Sequence, residues 1–223
     1  MVHCCEEYFF EIAWAQQVQK IAQCLLHDLS NYLTGSLALS ELYGINPPEI
    51  AAEKFALIRD NCYKEREILG LLSQLHHAHP GNISYISLSS FIKDLYPFFI
   101  PLLPAHTKFT LNHTEVDETL VKLDTALLQR VFLLTVLLAE KTLKNEPTPE
   151  LSFHISRMNQ RIVCKITIHT SFNLEDVDLD KINTGAFDLP QIYGPMVRFY
   201  CKKCDVNFTS TPSAVQLSFP IAK

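Results

Sequence analysis

Three polar residues in the first part of the chain have the types and spacing that phosphoryl chemistry requires. His27, Asp28 and Asn31 fall within little more than one helical turn. A neutral imidazole keeps one ring nitrogen unprotonated near pH 7, so an exposed histidine is a competent nucleophile. Asn31, one turn on, projects over the same spot and can hydrogen-bond a phosphoryl oxygen or orient a water. Asp28 lies about 100° further round the helix, where it can contact the ring edge or act as a base beneath a partner protein.

A long helix is expected to position these residues. The chain from about Glu7 to Tyr43 contains no proline, and only Gly35 interrupts its helix-forming composition. At 100° per residue, His27 lies at the centre of a polar stripe, and the apolar residues opposite it include Val18, Ile21, Leu25 and Leu29. We therefore expect the His27 ring to face solvent. The residues predicted to form a partner-docking face around it are Lys20, Gln23 and Thr34.

A second helix is predicted after residues 44–48, where glycine, asparagine and two prolines end the first. It runs from Glu49 to about Ala78, with apolar residues recurring at three-, four- and seven-residue steps. Two such helices form an antiparallel hairpin, and Phe9, Phe10 and Trp14 are interpreted as an apolar clasp at its end. A single hairpin leaves an apolar stripe exposed, so we expect two copies to pair as a four-helix bundle in a homodimer.

The remainder of the chain predicts a mixed domain with helices on one face of a small sheet. The predicted helices are Leu88–Phe99, Asp124–Leu143 and Tyr193–Cys204, and the predicted strands are Lys108–Asn112, Leu151–Arg157, Arg161–Thr170, Asp205–Thr209 and Ala214–Phe219. Two domains are therefore expected. Residues 1–80 form a helical hairpin for dimerisation and phosphotransfer, and residues 81–223 form the α/β domain.

Composition excludes several classes of function. Hydrophobic residues make up 48% of the chain and charged residues 19%, which is typical of globular proteins. The net charge of −5 and the lack of a dense basic patch argue against nucleic acid. No apolar run approaches the ~20 residues of a membrane span, and the first residues do not resemble a signal peptide, so a cytoplasmic location is expected. The seven cysteines are interpreted as reduced thiols, and Cys201-x-x-Cys204 lacks the further ligands of a zinc site.

The stretch from Cys24 to Leu42, CLLHDLSNYLTGSLALSEL, resembles the phosphoacceptor box of two-component histidine kinases and of the histidine phosphotransferases related to them. In that box a histidine is followed by an acidic residue, a leucine, a small or polar segment and a further apolar helix. The order of elements along the whole chain is also similar. The resemblance implies an α+β fold with an N-terminal antiparallel helical hairpin, a four-helix bundle in the dimer, followed by a degenerate histidine-kinase ATPase-like α/β sandwich.

The second domain departs from that family at each part that binds nucleotide. Leu138 stands where the family has the asparagine that holds magnesium against the phosphates. The segment Thr170–Asp178 contains no glycine where the family has an Asp-x-Gly-x-Gly loop, and the glycine-rich phosphate lid is reduced to Gly185 and Gly194. We therefore expect no ATP, metal or other cofactor in this chain.

A phosphoacceptor box followed by a second domain without nucleotide-binding residues resembles the ChpT-type histidine phosphotransferases of bacterial phosphorelays. The resemblance implies that His27 is the phosphoacceptor and that Asp28 and Asn31 assist it. It also implies transfer to or from the receiver domain of a response regulator, whose own aspartate and Mg²⁺ supply the remaining chemistry. The expected partners are therefore a receiver domain, a histidine kinase, or both.

Two alternatives stay open at this point. The chain can be a catalytically inactive pseudokinase or interaction module that binds a histidine kinase or response regulator through the same surface. It can also be a divergent ATP-dependent kinase or a phosphatase, because Asp28 and Asn31 have the spacing found in phosphatase-competent kinases. If the chain is an enzyme, a phosphotransferase is favoured over an ATP-dependent kinase.

Overall fold

The computed structural model describes residues 2–43, 51–77, 80–113, 119–168, 192–211 and 213–222, without the side chains of residues 2–6, 42–43, 51–54 and 76–77. Contacts divide the chain into two units. We call residues 14–78 the stem, and residues 1–13 together with 79–223 the head. The predicted hairpin domain began at residue 1, whereas the first 13 residues group with the head.

The stem is built from two helices, α1 (Val2–Tyr43) and α2 (Ala51–His77). Helix α1 contributes its first turns to the head and begins earlier than predicted, because nothing in residues 2–7 stops a helix. Apolar residues buried in the stem are Trp14, Ile21, Leu25, Ile68, Leu71 and Leu75. Within the described ranges, no helix combines the length and hydropathy that a bilayer crossing needs.

The two stem helices run antiparallel, as predicted. The Lys64 ammonium lies 5.0 Å from the centre of the Tyr32 ring, and three residues later in α1 Gly35 approaches Asn61. A methyl group added at Gly35 would lie 3.3 Å from the Asn61 amide nitrogen. The glycine that interrupts the helix-forming pattern of α1 therefore lies where the two helices come close together.

The head contains three further long helices and seven strands in the described part of the chain. These elements are β1 (Ile83–Ser87), α3 (Leu88–Phe99), a 3₁₀ turn (Ile100–Leu102), β2 (Lys108–His113), β3 (Leu120–Asp124), α4 (Thr125–Leu143), β4 (Glu150–Met158), β5 (Arg161–Ile168), α5 (Tyr193–Lys203), β6 (Asn207–Thr211) and β7 (Ala214–Pro220). The helix Leu88–Phe99 has the ends that the sequence predicted, and the other predicted helices and strands of this part of the chain are present with shifted ends. Residues 169–170 of the predicted strand Arg161–Thr170 lie outside the described residues. Strands β1 and β3 were not predicted. They pair with each other in a short antiparallel ribbon, and Ile221 adds a single antiparallel bridge to Val121 of β3.

The main sheet has the strand order β2-β4-β5-β7-β6. Strand β2 runs parallel to β4, and every other pair is antiparallel. The β4–β5 hairpin turns at Asn159, whose φ of 56° lies in the left-handed region that asparagine tolerates. This hairpin has the position that the alternating sequence pattern predicted.

One face of the main sheet forms the core of the head. Phe153 of β4 is fully buried, and its ring stacks at 5.8 Å on Phe99 of α3 and lies 6.1 Å from Phe132 of α4. The opposite face is polar, with His154 and Lys165 exposed at paired positions. Helix α4 is buried along almost its whole length. Helices covering one face of a mixed sheet, after an N-terminal helical hairpin, confirm the predicted α+β fold class.

Candidate functional site

His27 lies on the exposed side of α1. Its side chain is 74% exposed, whereas Ile21 and Leu25 on the opposite side of the helix are buried. The side of α1 that faces α2, marked by Tyr32 and Gly35, lies roughly 110° from His27 around the helix axis. The predicted exposure of the imidazole is therefore confirmed, and the ring is open to approach by another molecule.

Both predicted neighbours of His27 contact the same ring nitrogen. The Asn31 amide nitrogen lies 3.3 Å from Nδ1 of His27, and a carboxylate oxygen of Asp28 lies 3.5 Å from the same atom. Helical spacing explains the first contact, because residues four apart lie one above the other. In the described part of the chain, no hydrogen bond or ion pair is found at Nε2 of His27.

The Asp28 contact favours one tautomer of the imidazole. An ionised carboxylate only accepts hydrogen bonds, so Asp28 favours a proton on Nδ1. Asn31 can favour the same tautomer if its amide oxygen and nitrogen exchange places, because the oxygen then accepts a hydrogen bond from Nδ1–H. A proton on Nδ1 leaves the lone pair of a neutral ring on Nε2. The nucleophilic nitrogen is then the one that makes no contact with Asp28 or Asn31.

The other residues of the predicted docking face are all exposed on α1. They are Lys20, Gln23 and Thr34. The Thr34 hydroxyl donates to the backbone carbonyl of Ser30 at 2.8 Å, which holds it against the helix. These residues surround His27 with polar groups, and their role in docking stays a prediction.

The stem also carries two apolar stripes that are open to solvent. On α1 the stripe consists of Leu26, Leu33 and Leu37, and on α2 it consists of Phe55, Cys62 and Leu69. Each of the five apolar side chains other than the cysteine is at least half exposed. The α1 stripe lies about 100° from His27 around the helix, so the two surfaces are adjacent but distinct.

In the head, the residue predicted to replace a magnesium ligand belongs to the apolar core. Leu138 of α4 is buried. At the start of α5, Tyr193 is also buried, and burial together with the nearby charge of Glu140 raises the pKa of its hydroxyl to about 12. Gly194 is buried beside it. The glycine-free segment Thr170–Asp178 and Gly185 lie outside the described residues.

The cysteine pair in the head is buried. Cys201 and Cys204 lie in and just after α5, and burial raises the pKa of both thiols. Among the described residues, no three histidine, cysteine or acidic side chains form a cluster that could hold a metal ion. Both thiols are free, and they lie buried in the head.

Sequence reasoning missed one polar cluster in the head. Arg130 of α4 is buried and forms an ion pair with Glu11 of α1, and Tyr200 of α5 contacts both. The Phe9–Phe10 pair was interpreted as a clasp at the end of the stem, but Phe10 packs on Phe199 of the head. The sequence carries no signal for these contacts, because the partners are 70 to 189 residues apart.

No family model matches the chain, and no curated protein is similar to it in sequence. Solved structures match the chain at low identity, with TM-scores below 0.5. A bacterial phosphotransferase is 12% identical, with a TM-score of 0.47, over 92% of this chain and 96% of that one. The Acinetobacter baumannii histidine kinase AdeS is 12% identical, with a TM-score of 0.44, over 89% and 96%. The mycobacterial sensor histidine kinase MprB is 11% identical, with a TM-score of 0.45, over 63% and 97%.

Proposed function

We propose that this chain is a histidine phosphotransferase that relays a phosphoryl group through His27. The observation that carries the proposal is the position of the His27 imidazole and its contacts. Its Nδ1 lies within 3.5 Å of Asp28 and Asn31, its side chain is 74% exposed, and its Nε2 makes no hydrogen bond or ion pair among the described residues. A phosphoryl donor needs an open, in-line approach to an unprotonated nitrogen, and this arrangement provides one. The donor or acceptor is the aspartate of a response-regulator receiver domain.

The transfer is a displacement at phosphorus. The Nε2 lone pair of His27 attacks the phosphorus of the receiver's acyl phosphate, a P–N bond forms, and the P–O bond to the aspartate breaks. The receiver carboxylate leaves with the bonding electron pair, so no proton has to move. The ring then carries a positive charge shared between Nδ1–H and phosphorylated Nε2. The negative charges of the Asp28 carboxylate and of the phosphoryl oxygens stabilise it. Transfer to a receiver is the reverse reaction, and the receiver's Mg²⁺ neutralises the phosphoryl oxygens in both directions.

The head supports a relay that does not use ATP. A magnesium–nucleotide site needs a coordinating oxygen and backbone amides close to the phosphates. Helix α4 presents the buried side chain of Leu138 at the position predicted for that oxygen ligand. Tyr193 and Gly194 at the start of α5 are buried in the protein core, away from solvent. We therefore propose that the head serves as a folded support for the stem and not as a kinase.

Two copies are proposed to pair through the apolar stripes of the stem. On α1 the spacing of Leu26, Leu33 and Leu37 is seven and four, and on α2 Phe55 and Leu69 are fourteen apart with Cys62 midway. These are the intervals at which a helix places side chains against a neighbouring helix in a bundle. A second copy offers the same stripes, so a symmetric four-helix bundle covers both. His27 lies outside the stripes and stays accessible in such a dimer.

The relay is tested with a receiver domain phosphorylated on its aspartate, mixed with the full chain. We expect phosphate that is labile in acid and stable in alkali to appear on the protein, and mass spectrometry to locate it on His27. His27→Ala should abolish labelling, and His154→Ala, which removes an exposed histidine on the sheet, should not. Full labelling of His27→Ala would exclude the proposal. Receiver binding without any transfer would favour the inactive interaction module instead.

The dimer and the ATP-independent head have separate tests. Leu33→Glu and Leu69→Glu should give a monomer in light scattering, whereas Gln23→Glu on the His27 face should leave a dimer, since only the leucines lie in the stripes. A dimer that survives both charge substitutions would contradict the pairing surface. For the head, millimolar ATP with Mg²⁺ should leave the thermal midpoint unchanged, because no nucleotide binds to the native state. A rise would favour a divergent kinase.

A further inference from the structure

The first turns of α1 are tied to the head by a buried cation. Nη1 of Arg130 lies 2.7 and 2.8 Å from the two carboxylate oxygens of Glu11. The same nitrogen donates to the Tyr200 hydroxyl at 3.3 Å, and that hydroxyl donates to the backbone carbonyl of Phe10 at 3.2 Å. The guanidinium also lies over the Tyr200 ring, 5.2 Å from its centre. One cluster therefore joins α1, α4 and α5.

Further contacts flank this cluster. Lys203 at the end of α5 forms an ion pair with Glu7, one turn before Glu11. The Phe10 ring lies 4.8 Å from the ring of Phe199, and Phe10 and Ala13 are almost fully buried. The contact surface of α1 thus repeats at three- and four-residue intervals over the segment 7–13, as expected of one helical face.

The two charges of the central pair differ in their access to water. The Arg130 side chain is only 7% exposed, whereas Glu11 is 39% exposed. A buried arginine needs an anionic partner, and removing that partner is costly because the charge is left uncompensated. A paired buried charge, by contrast, adds little stability over well-packed apolar residues. The Glu11–Arg130 pair is therefore suited to holding the first turns of α1 in one position against α4 and α5.

We propose that Glu11, Arg130 and Tyr200, with the Glu7–Lys203 pair, form a releasable latch within the head, between the first turns of α1 and helices α4 and α5. Release leaves the N-terminal turns of α1 without their packing partners, and an unsupported helix end frays, so its backbone hydrogen bonds open more often. Release also exposes Phe10 and separates Glu11 from Arg130. A partner that offers an acidic group to Arg130 and Lys203 would compete with Glu11 and Glu7 and favour the open state.

The latch has a consequence for the relay, and this step rests on the proposed function of His27. Helix α1 carries both the latch and the phosphoacceptor, with His27 about 24 Å beyond Glu11 at 1.5 Å per residue. Opening the latch frees the first turns of the helix that carries His27. We therefore expect an open latch to slow transfer from a receiver that needs a fixed arrangement of the protein around His27.

Hydrogen–deuterium exchange tests the latch directly in the full chain. Glu11→Gln, Arg130→Met and the double variant each remove the charge pair, and Glu146→Gln is the matched control at an exposed head position. We expect backbone amides in residues 2–13 to exchange at least tenfold faster in Glu11→Gln, which takes the carboxylate away from the buried Arg130, with strands β4 and β5 unchanged. The double variant should exchange no faster than the single variants, because both remove the same interaction. Equal loss of protection throughout the head, or no change in residues 2–13, would overturn the latch.

The consequence for transfer is measured on the same variants with a phosphorylated receiver. A transfer rate lowered at least threefold in Glu11→Gln, and unchanged in Glu146→Gln, would support coupling between latch and phosphoacceptor. An unchanged rate despite faster exchange in residues 2–13 would refute that coupling. His27→Ala separates the two proposals, because it should abolish transfer without altering exchange in residues 2–13. Loss of the relay would therefore leave the exchange test of the latch intact.

Discussion

Asp28 is expected to assist His27 by a modest factor, and its geometry sets the size of the effect. The Asp28 carboxylate lies 3.5 Å from Nδ1, the long limit of a hydrogen bond, and the His27 and Asp28 side chains are 74% and 40% exposed. Exposed pairs of this kind contribute about 0.2–1 kcal/mol, because water and salt screen them. If that whole contribution is realised only in the transition state, its loss slows transfer by a factor of about 1.5 to 5.

Asp28→Asn tests this estimate because it removes the charge and keeps the shape of the side chain. The assay is a rapid-quench measurement of phosphoryl transfer from an excess of phosphorylated receiver, so that the rate at saturation reports transfer and not docking. Asp60→Asn, an exposed acidic position on α2, is the control. General base catalysis typically contributes about 10²–10⁴-fold. A loss of a hundredfold or more, with unchanged receiver affinity, would refute the reasoning and show that Asp28 moves a proton.

Two further predictions concern the head. Asp124 caps α4 by accepting from the amides of Ala126 and Leu127 at 3.0 and 3.1 Å, and it also accepts from the Gly81 amide. Asp124→Ala should therefore lower the free energy of unfolding, measured in urea, by about 2–3 kcal/mol. Asp124→Asn should cost less, because it keeps an oxygen for the cap. Equal losses in the two variants would contradict this account. Burial raises the pKa of Tyr193 from 10.0 and of Cys204 from 9.0 to about 12 in each case. The folded head keeps protons that the unfolded chain releases, so its stability should fall as pH rises from about 9 towards 12, and constant stability over that range would contradict the burial of these groups.

The local sequence was sufficient to predict the helices and the side of α1 on which His27 lies. Residues 2–43 contain no proline, and their apolar positions follow the helical repeat, so the side of α1 that carries His27 could be assigned from angles alone. The β4–β5 hairpin was equally visible, because its alternation of buried and exposed residues has a period of two. Strands β1 and β3 escaped notice because each is five residues long and their pairing joins segments about 40 residues apart.

The sequence by itself determined that a nucleophilic side chain stands exposed on a long helix, since helical geometry is a property of neighbouring residues. Only the tertiary structure decided that the first turns of that helix belong to the head. The pairing of Glu11 with Arg130 spans 119 residues, and neither residue differs in type or spacing from an ordinary surface charge. Arg130 needs a partner because it is buried, and its burial depends on how α1, α4 and α5 pack. No local sequence pattern predicts that packing.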